Sequence, residues 1–323
     1  MKILQITAPG ASTIREVDVP RPGPGEVLMR VDAVTTCPQW DLHLKQNEPM
    51  FVGHRFQYPY TPGQPGHEAT GVIEALGAGV DDLSPGDRVS AWRDAGHNVL
   101  GCYAQYVVHR AENVIRVPKD LPDEALAPLE LAMCVSTVFR MLNEMDAIRG
   151  RSFGVSGLGP AGLTALQMAQ AEGSGPVFGF DFSPERRDVA CQLSASACYD
   201  PRDDLSHDIP AAPDARRLGT AVDCVGSKTS VEFLMDRTED VVALFGVQRE
   251  DYTYRPHHHR LRLCGYKGHS RESAEYALDL IRRGKLDLAP LVTHQMPLEQ
   301  YDDAIDLLEA QQAVKVCFLP WES

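Results

Sequence analysis

The chain has 323 residues, 43% of them hydrophobic and 24% charged, with a formal net charge of −14. That length is enough for two domains, and that charge excludes a nucleic-acid partner unless basic residues gather on one face. They do not gather: the densest basic stretch, Arg255 to Arg262, is half histidine or apolar, so the expected ligand is a small molecule.

Residues 1 to about 130 carry short β-like runs split by Gly and Pro. Glu26 to Val31 follows Pro22-Gly23-Pro24-Gly25, and Gly71 to Leu76 is a second such run. This spacing predicts a barrel-like or sandwich β domain. From about 135 to 267, strand and helix patterns alternate, which predicts a parallel sheet covered by helices. Pro210 to Pro213 is the most loop-like stretch inside that block. The tail from 268 changes rhythm. Ala274, Ala277, Leu278 and Ile281 mark one helix, with Gly284 as its stop, and Tyr301, Ala304, Ile305 and Leu308 mark another. Val314 to Leu319 reads as a final strand. The eight cysteines (37, 102, 134, 191, 198, 224, 264 and 317) form no Cys-x-x-Cys pair. The start has no signal-peptide pattern, and no apolar run is long enough to span a bilayer. A cytoplasmic protein with reduced thiols and no membrane partner is expected.

Ser152 to Ser156 reads as a buried strand, and Gly157-Leu158-Gly159-Pro160-Ala161-Gly162 follows it directly, leading into a helix through Leu163, Leu166 and Ala169. In this context the three glycines have separate tasks. Gly157 permits a sharp turn, Gly159 lets the backbone approach a pyrophosphate, and Gly162 lets the helix pack on the strand. The helix N-terminus offers unpaired N–H groups to the phosphates. A second strand, Val177 to Phe180, ends in Asp181, 19 residues past Gly162. A carboxylate there accepts hydrogen bonds from the adenosine ribose hydroxyls and repels a 2′-phosphate, so NAD is expected over NADP. Arg186 and Arg187 sit close enough to greet a 2′-phosphate instead.

Gly66-His67-Glu68-Ala69-Thr70-Gly71-Val72-Ile73-Glu74 is followed by Gly77-Ala78-Gly79-Val80 and Pro85-Gly86-Asp87-Arg88-Val89. With the glycine fingerprint, Ala221 to Gly226, Leu291 to His294 and Ala313 to Val316, these motifs make nearly the whole chain resemble the zinc-dependent medium-chain dehydrogenases of the alcohol and polyol type. The resemblance implies an α/β plus β fold: a GroES-like β catalytic domain (residues 1–133 and 268–323) with an inserted Rossmann doubly wound parallel-sheet domain (134–267). It implies hydride transfer between a secondary alcohol, polyol or sugar-like substrate and NAD, and a homodimer or homotetramer. Cys37 and His67 are then zinc ligands, matching that ion's taste for thiolate and imidazole. The third protein ligand is Glu130 or Cys134, one helical turn apart. Glu68 is a direct ligand or a neighbour exchanging with water. Two anionic ligands neutralise the ion and a third weakens it as a Lewis acid, so the expected set is Cys37, His67 and one anion among Glu68 and Glu130. Arg186, Val247 and Lys315 join the expected cofactor site, Lys315 at the pyrophosphate.

Two departures stand out. Where the family usually has Cys-x-Ser/Thr-Asp, this chain runs Cys37-Pro38-Gln39-Trp40-Asp41-Leu42-His43, one residue longer and without the hydroxyl that carries the alcohol proton away. Asp41 is expected to orient the zinc-bound histidine and His43 to accept the proton from further out. Trp40 either narrows the pocket or only packs. Between 90 and 120 there is only Cys102, so one catalytic zinc and no structural zinc is expected. His257-His258-His259, read as a strand, sends its side chains to alternate faces and forms no metal site. His54 and Arg55 read as a solvated loop. Two other readings are a zinc-free NADPH-dependent enone or quinone reductase and a non-catalytic dinucleotide-binding protein.

Overall fold

Near-continuous burial of Val27, Leu28, Met29, Val31, Ala33, Val34 and Thr35 makes the strand Glu26–Thr35 a central one, covered on both faces. It pairs antiparallel with Glu68–Leu76 on one side, and with Tyr106–Arg110 and Lys315–Phe318 on the other. The sheet of seven strands continues outward through Val292–Met296 at one end and through Arg88–Ala91 and Val114–Arg116 at the other. The register sets Thr35 opposite Glu68 and also opposite Cys317. Residues at or just beyond three strand ends, 37, 67 and 315, are thereby drawn to one place. The computed structural model describes all residues except 52, 94, 95, 97, 194, 212–216, 267 and 323.

The chain divides into two units, residues 1–133 with 287–323, and residues 134–286. The core of the first gathers Leu4, Met29, Val31, Leu44, Ile73, Tyr103, Ile305 and Phe318. Its C-terminal helix Tyr301–Glu309 buries Tyr301, Ala304, Ile305 and Leu308, the spacing read from the sequence.

The second unit is a six-stranded sheet in the order Ala197–Tyr199, Val177–Phe180, Phe153–Ser156, Leu218–Asp223, Thr238–Leu244 and Arg262–Gly265. Every pairing is parallel. Numbered within the unit this is the order 3-2-1-4-5-6, with its switch point between Phe153–Ser156 and Leu218–Asp223. The return to the first unit comes at 287, later than the expected 268. The helix Arg271–Arg282 belongs to the second unit because its first turn is tied there: the Ser273 hydroxyl bonds Thr137 at 3.1 Å and Arg140 at 3.1 Å, and Tyr276 bonds Glu172. The expected loop at Pro210 to Pro213 falls partly outside the described residues. Among the described residues, no helix is long and apolar enough to cross a membrane.

Candidate active site

The helix Pro38–Gln46 starts at Cys37, which is its N-cap, with Pro38 supplying a preset first-turn geometry. Its Cys37 Sγ, a ring nitrogen of His67 and a carboxylate oxygen of Glu68 lie within 4.8 Å of one another. His67 Nδ1 donates to the Pro65 carbonyl at 2.6 Å. Its other ring nitrogen, Nε2, lies 3.7 Å from Glu130 Oε2. Burial disfavours a charged His67, but Cys37, Glu130 and Glu68 outweigh it and raise the imidazole pKa well above its usual value. The cluster therefore favours positive charge at its centre. A thiol, an imidazole and a carboxylate are the donor types that zinc takes, so the residues fit the ion. Cys134 is buried on the same helix as Glu130, Leu129–Glu144, with its thiol within 4.8 Å of the Glu130 carboxylate.

Glu68 is held from the opposite direction. Lys315 Nζ donates to both of its oxygens, at 2.7 and 2.6 Å, and to the Thr36 carbonyl at 2.6 Å. The Thr35 hydroxyl adds a bond to Oε2 at 2.9 Å. Lys315 and Glu68 are 0% and 1% exposed. Burial pushes the Glu68 carboxyl up, and the ammonium beside it pulls the other way. Lys315, expected at a pyrophosphate, here spends its three donors on Glu68 and Thr36 inside the first unit.

In the second unit, the glycine turn leaves the sheet at the switch point. Gly157 has φ +84°, a conformation that glycine adopts without a steric penalty. A Cβ on Gly162 would lie 1.8 Å from the Gly157 carbonyl oxygen, so helix and turn tolerate only hydrogen there. Nothing lies within 4 Å of the place a Gly159 Cβ would take. The fold itself does not need that glycine, and the open space lies at the N-terminus of Pro160–Ala171, where an anion would bind. Asp181 Oδ2 accepts the Leu158 N–H at 2.7 Å and Oδ1 accepts the Ser183 N–H at 2.9 Å. This fixes the carboxylate beside the turn. Phe182, Val225, Val247 and Tyr266 each lie within three residues of a strand's carboxyl end and are 36 to 58% exposed. They lie at the edge of an open parallel sheet where ligands of such folds bind.

Residues 23–119 match the alcohol dehydrogenase GroES-like domain, and residues 160–283 match the zinc-binding dehydrogenase domain. The L-threonine 3-dehydrogenase of Pyrococcus horikoshii is 29% identical over 353 residues, spanning 99% of this chain and 98% of that one. The alcohol dehydrogenase of Geobacillus stearothermophilus is 32% identical over 215 residues, 59% of this chain and 60% of its own. The chain belongs to the zinc-dependent medium-chain dehydrogenase superfamily. It is accordingly an NAD(P)-linked oxidoreductase of the alcohol and polyol dehydrogenase type. Galactitol-1-phosphate dehydrogenase of Escherichia coli shares the fold at a TM-score of 0.85 and 23% identity, with 99% of this chain and 100% of that one covered.

Against that superfamily's pattern, the longer run after Cys37 has a structural consequence. Asp41 does not bond His67, whose Nδ1 is already taken by Pro65. Its carboxylate instead accepts the Cys37 backbone N–H at 2.8 Å, the Tyr103 hydroxyl at 2.9 Å and the Tyr301 hydroxyl at 2.8 Å. Burial raises the Asp41 carboxyl to about 6, against the pull of those three donors. Asp41 thus fixes the Cys37 backbone, not the imidazole. Tyr103 was not singled out in the sequence, and Tyr301 only as an apolar position of its helix; a tyrosine 62 or 260 residues away gives no local signal of a bond to Asp41. His43 is buried, and its Nδ1 donates to the Glu48 carbonyl at 3.1 Å.

Trp40 packs edge-on against His54 and Phe56, at 6.0 and 6.3 Å between centroids. His54 also meets Phe51 and Phe56 at 4.8 and 4.7 Å, so it sits in an aromatic cluster and not in a solvated loop; Arg55 is exposed as expected. The histidine run is a 3₁₀ turn, Pro256–His258, because Pro256 starts a turn and not a strand. Two of its rings therefore converge, with His257 and His258 Nε2 on Asp236 Oδ1 at 3.0 and 2.8 Å. His258 Nδ1 accepts the Arg255 N–H at 3.0 Å, so its proton sits on Nε2, and the Arg255 guanidinium lies 3.7 Å from the same Asp236 oxygen. A protonated Nε2 and an adjacent cation suit an anion's partner set and not a metal's.

Proposed function

We propose that Cys37, His67 and Glu130 hold one catalytic zinc, that NAD is the preferred cofactor, and that the substrate is a small secondary alcohol bearing polar neighbours, such as a polyol or a hydroxy amino acid. The observation that carries the metal assignment is the convergence of Cys37, His67 and Glu68 within 4.8 Å, with Glu68 tied back by Lys315 and Glu130 approaching His67 Nε2. Two anionic protein ligands, Cys37 and Glu130, balance the ion's charge, and Glu68 spends its own on Lys315. When bound, the zinc would lower the pKa of the substrate hydroxyl as it does that of water, and the nicotinamide would accept the hydride. His67 is oriented by Pro65 and Cys37 by Asp41, which fixes two donors before any ion arrives. With no hydroxyl after Cys37, His43 is the residue proposed to take the substrate proton through water.

Asp181, held by two backbone N–H groups, faces where a ribose would lie and supports NAD. The full-length relatives named L-threonine 3-dehydrogenase support a substrate whose hydroxyl carbon neighbours charged or polar groups. No disulfide joins the cysteines among the described residues, which supports a reducing, cytoplasmic setting. The family's homodimer or homotetramer is the proposed assembly. Initial rates with zinc-loaded enzyme over a panel of polyols, hydroxy amino acids and simple alcohols test the reading. Turnover on at least one class with NAD is expected. Absence of turnover on all of them, or activity undiminished in Cys37→Ser and His67→Ala, would reject it.

A further inference from the structure

The edge strand Ala197–Tyr199 and the helix before it, Pro184–Gln192, carry two thiols that the proposed chemistry does not use. Backbone bonds fold the helix end onto the sheet: the Ala195 N–H donates to the Ala190 carbonyl at 3.0 Å, and the Ser196 N–H to the Val177 carbonyl at 2.8 Å. The helix packs on the strand it leads into, and Cys191 in its last turn hydrogen-bonds the Cys198 thiol. Cys191 is exposed and Cys198 half-buried. Burial and the Cys191 thiol push the Cys198 thiol up to about 12, against the pull of the Gly179 backbone and the Arg187 guanidinium. On its other side Cys198 reaches the glycine turn. It stands opposite Gly179 in the sheet register. A Cβ on Gly179 would lie 3.0 Å from Cys198 Sγ and 3.0 Å from Leu158 Cδ1, so sulfur and leucine fill that missing side chain from two directions. Leu158 is fully buried, sits between Gly157 and Gly159, and gives its N–H to Asp181.

Two thiols in contact, one of them open to solvent, need only small side-chain movements to bond. We propose that Cys191 and Cys198 form a reversible disulfide, and that its formation weakens coenzyme binding through Leu158. The effect on coenzyme rests on the dinucleotide reading given above; the disulfide itself does not. The oxidant is a low-molecular-weight disulfide such as that of glutathione. The Cys191 thiolate attacks one of its sulfurs, forms a mixed disulfide and expels one thiolate. Cys198 then gives its proton to solvent and attacks Cys191 Sγ, expelling the second thiolate. Two protein thiols are oxidised, one small disulfide is reduced, and the two protons end on the expelled thiolates. Exposure makes Cys191 the first to react, and burial keeps Cys198 a thiol until the mixed disulfide forms. Closing the bond draws the two sulfurs together. Cys198 then gives up part of the space it shares with Leu158, and in a close-packed interior the turn loses support on that side.

The test needs no substrate. Purified protein is equilibrated in glutathione redox buffers, digested without reductant and mapped by mass spectrometry. NADH affinity is followed by fluorescence before oxidation, after it, and after dithiothreitol. Expected are a linked peptide pair carrying Cys191 and Cys198, and NADH binding weakened about fivefold or more, the scale of coupled sites, with full recovery in dithiothreitol. Cys198→Ser is expected to stop with glutathione on Cys191. Cys191→Ser is expected to form no link and to keep its NADH affinity in the oxidising buffer. Coupling is reciprocal, so saturating NADH should shift the buffer composition for half-oxidation by the same factor. Absence of the Cys191–Cys198 link in strongly oxidising buffer overturns the proposal. A link with NADH affinity unchanged, or an equal loss of affinity in oxidised Cys191→Ser, overturns the route through Leu158. Reduced wild type that does not bind NADH overturns the nucleotide reading instead, and the peptide map still decides the disulfide.

Discussion

Replacing Lys315 with Met removes one half of a fully buried ion pair and leaves the other half in place. Glu68 keeps the Thr35 hydroxyl at 2.9 Å but loses both ammonium contacts, at 2.7 and 2.6 Å, in a site where Lys315 is 0% and Glu68 1% exposed. Solvent does not screen this pair. Orphaning one member of a buried pair costs about 3–5 kcal/mol, whereas replacing both by apolar groups of similar volume is close to neutral. For a unit of this size each kcal/mol moves the melting point by about 2–4 °C, so Lys315→Met should lower it by roughly 6–20 °C. Glu68→Leu combined with Lys315→Met should recover most of that loss. The assay is scanning calorimetry on protein stripped of metal with chelator, so that changes in zinc affinity do not enter. A Lys315→Met variant melting within about 2 °C of wild type, or a double variant no more stable than the single, would refute the account of Glu68 as a carboxylate anchored by Lys315.

Other outcomes follow from the same geometry. Gly162→Ala places a methyl group 1.8 Å from the Gly157 carbonyl oxygen, so NADH binding should fall by more than about tenfold on fluorescence titration, and unchanged affinity would remove the steric role of this glycine. Tyr301→Phe deletes one of the three bonds to the buried Asp41 carboxylate. It should cost about 1–3 kcal/mol in thermal stability and weaken zinc retention against chelator, because Asp41 fixes the Cys37 backbone; zinc retention equal to wild type would confine Asp41 to packing. Cys37→Ser should leave less than a tenth of the zinc, roughly, on elemental assay, given the thiolate's share of the site. Full occupancy in that variant would point to other ligands.

The parts legible in the sequence were those whose physics is local. The glycine turn, its strand and its helix lie within twenty residues, and each glycine answers a steric need that the motif itself states. Periodicity likewise gave the helices Arg271–Arg282 and Tyr301–Glu309. It did not say which unit the first of them joins, because that depends on Ser273 and Tyr276 meeting Thr137, Arg140 and Glu172 from far along the chain. The same holds at the proposed metal donors. Spacing pointed to Cys37 and His67, but Lys315 pairs with Glu68 across 247 residues. Only the sheet register that sets Thr35 between Glu68 and Cys317 brings them together. Asp41 was assigned to the imidazole by its position after Cys37. The extra residue in that run lets the helix begin at Cys37, and the carboxylate turns back onto the Cys37 N–H instead. At residues 257–259 the misreading came from Pro256, which starts a tight turn where a strand was expected.

X-ray absorption at the zinc edge of the purified, metal-replete enzyme tests the central claim most directly, because it counts sulfur atoms. A site built from Cys37, His67 and Glu130 should give a single sulfur at about 2.3 Å, with the remaining nitrogen and oxygen neighbours at about 2.0–2.2 Å. Two sulfurs in that shell would put Cys134 in the place given to Glu130, and a protein without stoichiometric zinc would contradict the assignment altogether.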